Sequence, residues 1–600
     1  MKNLVYALSW LLLLLLAPQA GAADKPVLLP PVMVTDGLPP ACALMRPVVT
    51  LERQELEALP AQSVAEALRF VPGVSLESRG FGAVQADVSL RGSTFSQVLV
   101  LIDGVRLTDP QTAHHNLDLP LLLEDVERIE VLQGPACARY GADAVAGAIN
   151  IVTRTPRANH LRLEGAGGSF STTRASAGLG GRRGWLAGSL SLGREASGGY
   201  RFGTDYEVHT LSGKAALLEE AGRETSGELF FGLQQKDFGA FDFYSPGRGF
   251  ASREETGTAF ASAAVRRASG GRLYEARAYF REHQDEFVLE ARNPALYQAE
   301  HLSRVAGLQL FGQWQGRGLL SAGLELRGET LDSDRLGERE RAVASPFAEY
   351  AAELGPLALD AAVRLDLYSR FGPQASPSLA LLWRLGEGLA ARAQVATAYR
   401  VPSFTELHYN DPANVGDPNL EPERSVSYQA GLVWRAKERP LEAALDVFER
   451  REWEIIDWVR GSVAEPWRAV NSGEVTTRGL EARADWFAPW GAARLDYIFA
   501  DKGLSTTAAQ SKYVLTHPVH QLSLGLWHAR LPLGLSLFGQ VMWRAYEKED
   551  YTLLEVTLSR RFGPFELFAE GHNLLDASYT EALVPAPGIW GLAGLRIRLG

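Results

Sequence analysis

The sequence predicts a membrane β-barrel of about 22 antiparallel strands preceded by a small N-terminal α/β domain. Three observations carry this. The chain opens on an export signal, yet no later apolar run reaches the roughly 20 residues that a membrane helix needs. From Thr155 onward apolar and polar residues alternate with period two, and charges occupy one face of nearly every predicted strand. Short breaks marked by Gly, Pro or charge recur roughly every 30 to 50 residues and separate about eleven hairpins.

Residues 1–22 form the signal: Lys2 is the positive end, Leu4 to Ala17 the apolar region, and Ala20-Gly-Ala22 the cleavage site. A chain that leaves the cytoplasm without a spanning helix can cross a bilayer only as a closed barrel. Its 600 residues exceed one ordinary core, so at least two domains are expected. With 46% hydrophobic and 22% charged residues it is a folded protein of ordinary polarity. The net charge of −11 argues against nucleic acid, whose phosphates need a basic stripe.

Residues 23–40 are extended and proline-punctuated around Pro30-Pro-Val-Met-Val-Thr35. Such a segment is either a mobile tail or a strand donor that adds to an exposed sheet edge.

Residues 41–155 form the small α/β domain. Ser63-Val-Ala-Glu66 is a capping box that launches a helix over Val64 to Phe70, which Pro72-Gly73 stops. Val88 to Gly92 is a short strand, and Val98-Leu-Val-Leu-Ile102 a fully buried one entering a tight turn at Asp103-Gly104. Pro120 to Val126 can make a helical turn or two. Glu127 to Leu132 and Ala148 to Arg154 are two further strands. Cys42 lies too far past the cleavage site for lipid attachment. In an exported chain Cys42 and Cys137 either pair or stay as thiols, and closing that loop would contribute about 4 kcal/mol.

Residues 156–600 form the barrel. In Leu357 to Leu367 the odd positions are apolar, while Asp360, Arg364 and Asp366 face the other way. The same split recurs in Tyr274 to Arg281, Leu320 to Glu329 and Leu554 to Ser559. Charges on one face suit lipid outside and polar protein inside rather than a sandwich core. Breaks fall near Gly181, Gly222, Gly270, Arg317, Gly355, Glu387, Glu438, Trp490, Leu533 and Gly563. A barrel of that strand count has a lumen wide enough to need filling.

Leu90-Arg-Gly92, Val100 to Val105, Ile129-Glu-Val-Leu-Gln-Gly-Pro135, Tyr140-Gly141 and Gly147-Ala-Ile-Asn-Ile151 follow one another in a distinctive order. Together they closely resemble the plug of TonB-dependent outer-membrane receptors. The resemblance resumes in Tyr399 to Leu407, Gly416 to Glu423, Asn471-Ser-Gly473, Arg478 to Glu481 and Gly571 to Tyr579. One departure is the last strand, which ends at Gly600 where the family usually carries an aromatic residue.

The resemblance implies an outer-membrane transporter, with Val32, Met33, Val34 and Thr35 as the TonB box. It further implies partnership with TonB, ExbB and ExbD, contact with outer-membrane lipid, and a metal-chelate or corrinoid ligand. A monomer is expected, with no cofactor, and a metal ion in the extracellular loops stays open. The length leans towards the cobalamin receptors; ferric siderophores come next, then haem. Loop aromatics Phe238, Phe241 and Tyr244, with Trp453 and Trp458, are candidates for ligand stacking or for a membrane girdle. His114 and His115 in a plug apex loop, and His408 between two family boxes, are where haem ligation would fall. A passive porin would have no plug. A barrel enzyme would need a catalytic cluster, and no recognisable one is present, so no enzyme activity is expected.

Overall fold

The computed structural model describes residues 44–600 apart from 220–223, 245–246, 437–439, 490, 506–509 and 515–516. The signal, the Val32–Thr35 segment and Cys42 therefore lie outside the described residues. Twenty-two strands close into one antiparallel barrel. Closure is made by Trp590–Leu599, the last strand, which pairs from Leu592 to Leu599 with residues 161–168 of the first, His160–Gly168.

Side-chain alternation sets the two faces. In the strand Leu357–Tyr368, Asp360, Arg364 and Asp366 are buried inward, while Val363, Leu365 and Leu367 stand exposed on the outside. Arg277 and Arg281, or Glu325, Arg327 and Glu329, repeat this in neighbouring strands. An outer apolar band and an inner charged wall are what a bilayer and a polar filling require.

One end of the barrel carries tight turns. Pairs Arg183 with Leu186, Ser269 with Arg272, Leu354 with Leu357 and Phe562 with Phe565 flank two-residue turns. Gly184, Gly270, Gly271, Gly355 and Gly563 there hold φ between 57° and 74°, the geometry a two-residue hairpin favours. The break expected near Gly181 falls instead at Gly184-Trp185, because Gly178, Gly180 and Gly181 lie inside the strand Thr173–Arg183. The opposite rim carries the long connections, among them residues 401–422, 454–473 and 573–589.

The plug fills the barrel. Its strands are β1 (Val48–Glu52), β2 (Val74–Ser78), β3 (Ala86–Leu90), β4 (Val98–Ile102), β5 (Val105–Arg106), β6 (Val126–Gln133) and β7 (Gly147–Thr153). Five of them form a sheet in the order β1-β6-β7-β4-β5, and β2 pairs with β3. Strands β4 and β7 run parallel at its centre. Every residue of β4 is buried, as its unbroken apolar run demands.

The plug helix is shorter than its sequence suggests and covers Val64–Leu68. Ser63 caps it by accepting a hydrogen bond from Glu66 N–H, but the Glu66 carboxylate reaches back to Gln62 N–H, so the box is closed one residue early. Pro120 to Val126 supplies only the short turn Leu123–Asp125.

At the β4–β5 turn Asp103 has φ 49° and Gly104 φ 78°, both left-handed as a type I′ turn requires. Asp103 Oδ1 accepts from Thr153 N–H at 2.8 Å and Gly104 N–H donates to Asn150 at 2.9 Å, tying the turn to β7. Nothing crowds a Cβ at position 104, so only the backbone penalty opposes substitution. Gly104→Val is expected to destabilise the plug by about 1–2 kcal/mol, more than Gly104→Ala. Denaturant titration of the plug and uptake of large antibiotics by whole cells measure this; unchanged values in both would refute the role of the turn.

Candidate functional site

Long-range polar pairs dock the plug to the wall. Arg91 Nε donates to Glu481 at 2.8 Å and its Nη1 to Gln429 at 3.1 Å. Arg46 meets Asp360, Arg69 meets Glu581, and Gln97 donates to both Glu423 and Glu452. Ser191 and Ser212 of the wall donate to Asp125.

Towards the long-loop rim the plug presents two turns, around residues 79–87 and 109–118, and these form the floor of the candidate site. Phe404 N–H and Thr405 N–H donate to the carbonyls of Pro110 and Gln111 at 2.9 and 3.0 Å. The loop helix Phe404–His408, capped by Ser403 and Glu406, thus rests on the plug apex. Cations on this floor are each held by carboxylate: Arg79 by Asp87, Arg281 by Asp109 and Lys236 by Asp118, all at 2.7 Å. Arg400, at the foot of the loop helix, is shared between Glu406 and Glu423.

The candidate residues separate into distinct environments. Phe238 and Phe243 are buried and pack with the apex residues Phe81 and Val84, so they seal the plug against the wall. Phe241 sits higher, edge-on to Phe202 and beneath the Arg201 guanidinium. Tyr244 is 37% exposed and its hydroxyl donates to Glu254 at 2.7 Å. Trp453 faces outward at the end of Leu441–Trp453, the position of a girdle residue. Trp458 is buried with Phe404, Leu407 and Leu420 under the loops.

The three histidines do not converge. His114 stacks on Phe95 at 4.3 Å and its Nδ1 lies 2.8 Å from Asp87. Burial, outweighing the Asp87 carboxylate, lowers its pKa, so the ring is neutral. His115 is also buried, which by itself would lower its pKa, but Asp118 and Asp285 outweigh that and hold it at about 10. His408 lies beside Arg339 and Arg370; burial first, then those guanidiniums, push it down to about 4. Its Nε2 is buried without a hydrogen-bond partner among the described residues, and none of its described contacts reaches His114 or His115. Cys137 is buried with its sulfur directed at the Tyr399 carbonyl and has no disulfide partner among the described residues, Cys42 lying outside them; burial pushes its thiol pKa up to about 12.

Sequence reasoning missed Arg79, Asp87, His283 and Asp285. The last two carry a readable signal: Arg281, His283 and Asp285 alternate within Arg272–Val288 and therefore share the inward face.

Comparison with known proteins gives two family matches: the TonB-dependent receptor plug domain over residues 43–148, and the TonB-dependent receptor-like β-barrel over residues 145–578. The chain is 25% identical over 481 residues to the vitamin B12 transporter BtuB of Photobacterium profundum, covering 77% of each. The BtuB of Vibrio vulnificus is likewise 25% identical, over 75% of this chain and 74% of that one. Among solved structures, the siderophore receptor PirA from Acinetobacter baumannii matches with a TM-score of 0.78 at 15% identity, covering 92% of this chain and 98% of its own. The FrpB iron transporter from Neisseria meningitidis matches with a TM-score of 0.76 at 14% identity, over 92% and 99%. At such identities the structural matches establish the fold.

Asp87→Ala would leave Arg79 buried without a carboxylate and is expected to cost about 3–5 kcal/mol. Hydrogen exchange over residues 74–90 should rise sharply in the variant; protection equal to that of the parent protein would count against this pair as an apex clamp.

Proposed function

The chain belongs to the TonB-dependent receptor family of the outer membrane, and on that premise we propose that it takes up cobalamin across that membrane. The carrying observation is the neutralised floor of the mouth. Arg79, Arg281, Lys236 and Arg400 are each engaged by carboxylate, so the floor offers a polyanionic ferric chelate no uncommitted cation from this set. A large, amphipathic, nearly neutral corrinoid is better matched by half-exposed rings such as Tyr244 and Phe241. The similarity to BtuB supports the same choice. A ferric siderophore is the second reading, on the strength of the receptor-like fold alone. Haem is disfavoured, because the one described cluster of potential metal ligands that holds a histidine pair does not include His408.

Energy would enter through Val32-Met-Val-Thr35, pairing as a strand with TonB, itself driven by ExbB and ExbD. The chain would work as a monomer, with residues 1–22 removed on export.

Equilibrium binding of cyanocobalamin, a ferric catecholate and haemin to the purified protein tests the ligand. Cobalamin should bind most tightly, His408→Ala should leave its affinity unchanged, and Phe241→Ala with Tyr244→Ala should weaken it at least ~10-fold, about 1.4 kcal/mol. Preference for the catecholate, or a haem complex lost in His408→Ala, would overturn the assignment. Energy coupling is tested separately. Val34→Pro removes a strand-pairing donor and should abolish uptake by cells while surface binding persists; normal uptake would place the coupling segment elsewhere.

A further inference from the structure

Where the plug apex meets the wall lies a group of side chains to which uptake of a corrinoid gives no task. His115 belongs to the short plug turn Ala113–His115, whereas His283 and Asp285 project inward from the wall strand Arg272–Val288. All three are buried, and one donor atom of each lies within 4.8 Å of those of the other two. The two imidazole centroids are 4.4 Å apart, and His115 Nε2 is 3.9 Å from Asp285 Oδ1. We propose that His115, His283 and Asp285 bind a divalent transition-metal ion that joins the plug to the barrel wall.

The donor set is two imidazoles and a carboxylate, which suits zinc, cobalt or nickel better than calcium or magnesium. Metal–ligand bonds of about 2.0–2.1 Å in a tetrahedral site put donors roughly 3.4 Å apart, so small side-chain rotations would close the present spacing.

The surroundings already have the form of an outer ligand shell. Asp118 Oδ2 is 2.9 Å from His283 Nε2 and 3.3 Å from His115 Nδ1. The hydrogen bond between His283 Nε2 and Asp118 fixes that ring's tautomer and orientation, leaving its Nδ1 for a metal. His283 Nδ1 and Asp285 Oδ1 are buried without a hydrogen bond among the described residues. Asp109 Oδ2, 3.3 Å from that nitrogen, is taken by Arg281 and Ser303. Unmet polar atoms at such depth are costly unless something occupies the space between them.

Charge points the same way. Four carboxyl groups, Asp109, Asp118, Glu254 and Asp285, gather there, and the only two of them engaged by Arg281 and Lys236 are Asp109 and Asp118.

The test uses the full-length protein in detergent, stripped with chelator and then titrated with Zn2+ by calorimetry and with Co2+ by visible absorption. We expect one ion per chain and cobalt bands of a four-coordinate nitrogen–oxygen site. Asp285→Asn and His283→Gln should each weaken binding at least ~10-fold, while His114→Gln leaves it unchanged. Retained heat-resistant mobility on gels confirms that each variant's barrel is folded, and the near-isosteric Asp285→Asn decides if His283→Gln is not. No saturable binding, or binding that Asp285→Asn leaves intact, would overturn the proposal.

Discussion

A wide barrel whose inner wall is charged cannot stand empty of partners, and the molecule is arranged around that constraint. Arg277, Arg281, Glu325, Arg327, Arg364 and Asp366 point inward because the outward alternate positions must be apolar to meet lipid. Once the plug excludes water from them, each must find an opposite charge or a hydrogen bond. Arg281 finds Asp109, Lys236 finds Asp118, and Glu481 finds Arg91. Taking both members of such a pair out of water offsets most of their attraction, so these contacts contribute little net stability. What they supply is register: a plug rotated or shifted in the lumen would leave several buried charges unpaired, at a few kcal/mol for each.

This division explains what the sequence could reveal. Barrel strands are legible because lipid enforces period two locally, as in Leu357 to Leu367, and because two-residue turns demand left-handed glycines such as Gly270 and Gly355. The β4–β5 turn was equally readable, since Asp-Gly behind an apolar run has few other conformations. Pairings across the lumen were not. Nothing near Asp118 announces Lys236, 118 residues away, and nothing near His115 announces Asp285. Loop aromatics show the same limit: Phe238 and Tyr244 look alike in sequence, yet one seals the apex and the other stands at the mouth. The early end of the plug helix escaped for a local reason, as Arg69, Phe70 and Val71 N–H bond three residues back in a tightened last turn.

The same arrangement grades the plug's resistance to force. Any pull applied ahead of residue 44 meets β1 first. That strand is at the sheet edge, is five residues long and is bonded only to β6. Arg46, just before it, is paired with Asp360 and lies 4.0 Å from Glu349, and Arg392 donates to the Leu44 carbonyl. Strands β4 and β7 lie deeper, bordered by ladders on both sides, and their neighbours carry the Arg91, Gln97 and Asp109 contacts to the wall. Ejecting the plug whole would break all of those buried contacts at once, whereas peeling β1 breaks one short ladder and the contacts of Arg46 and Leu44 to the wall. The peeled edge is the easier route, since it exposes far less buried surface at once than ejecting the whole plug. A channel opened along that edge leaves the parallel centre of the sheet in place.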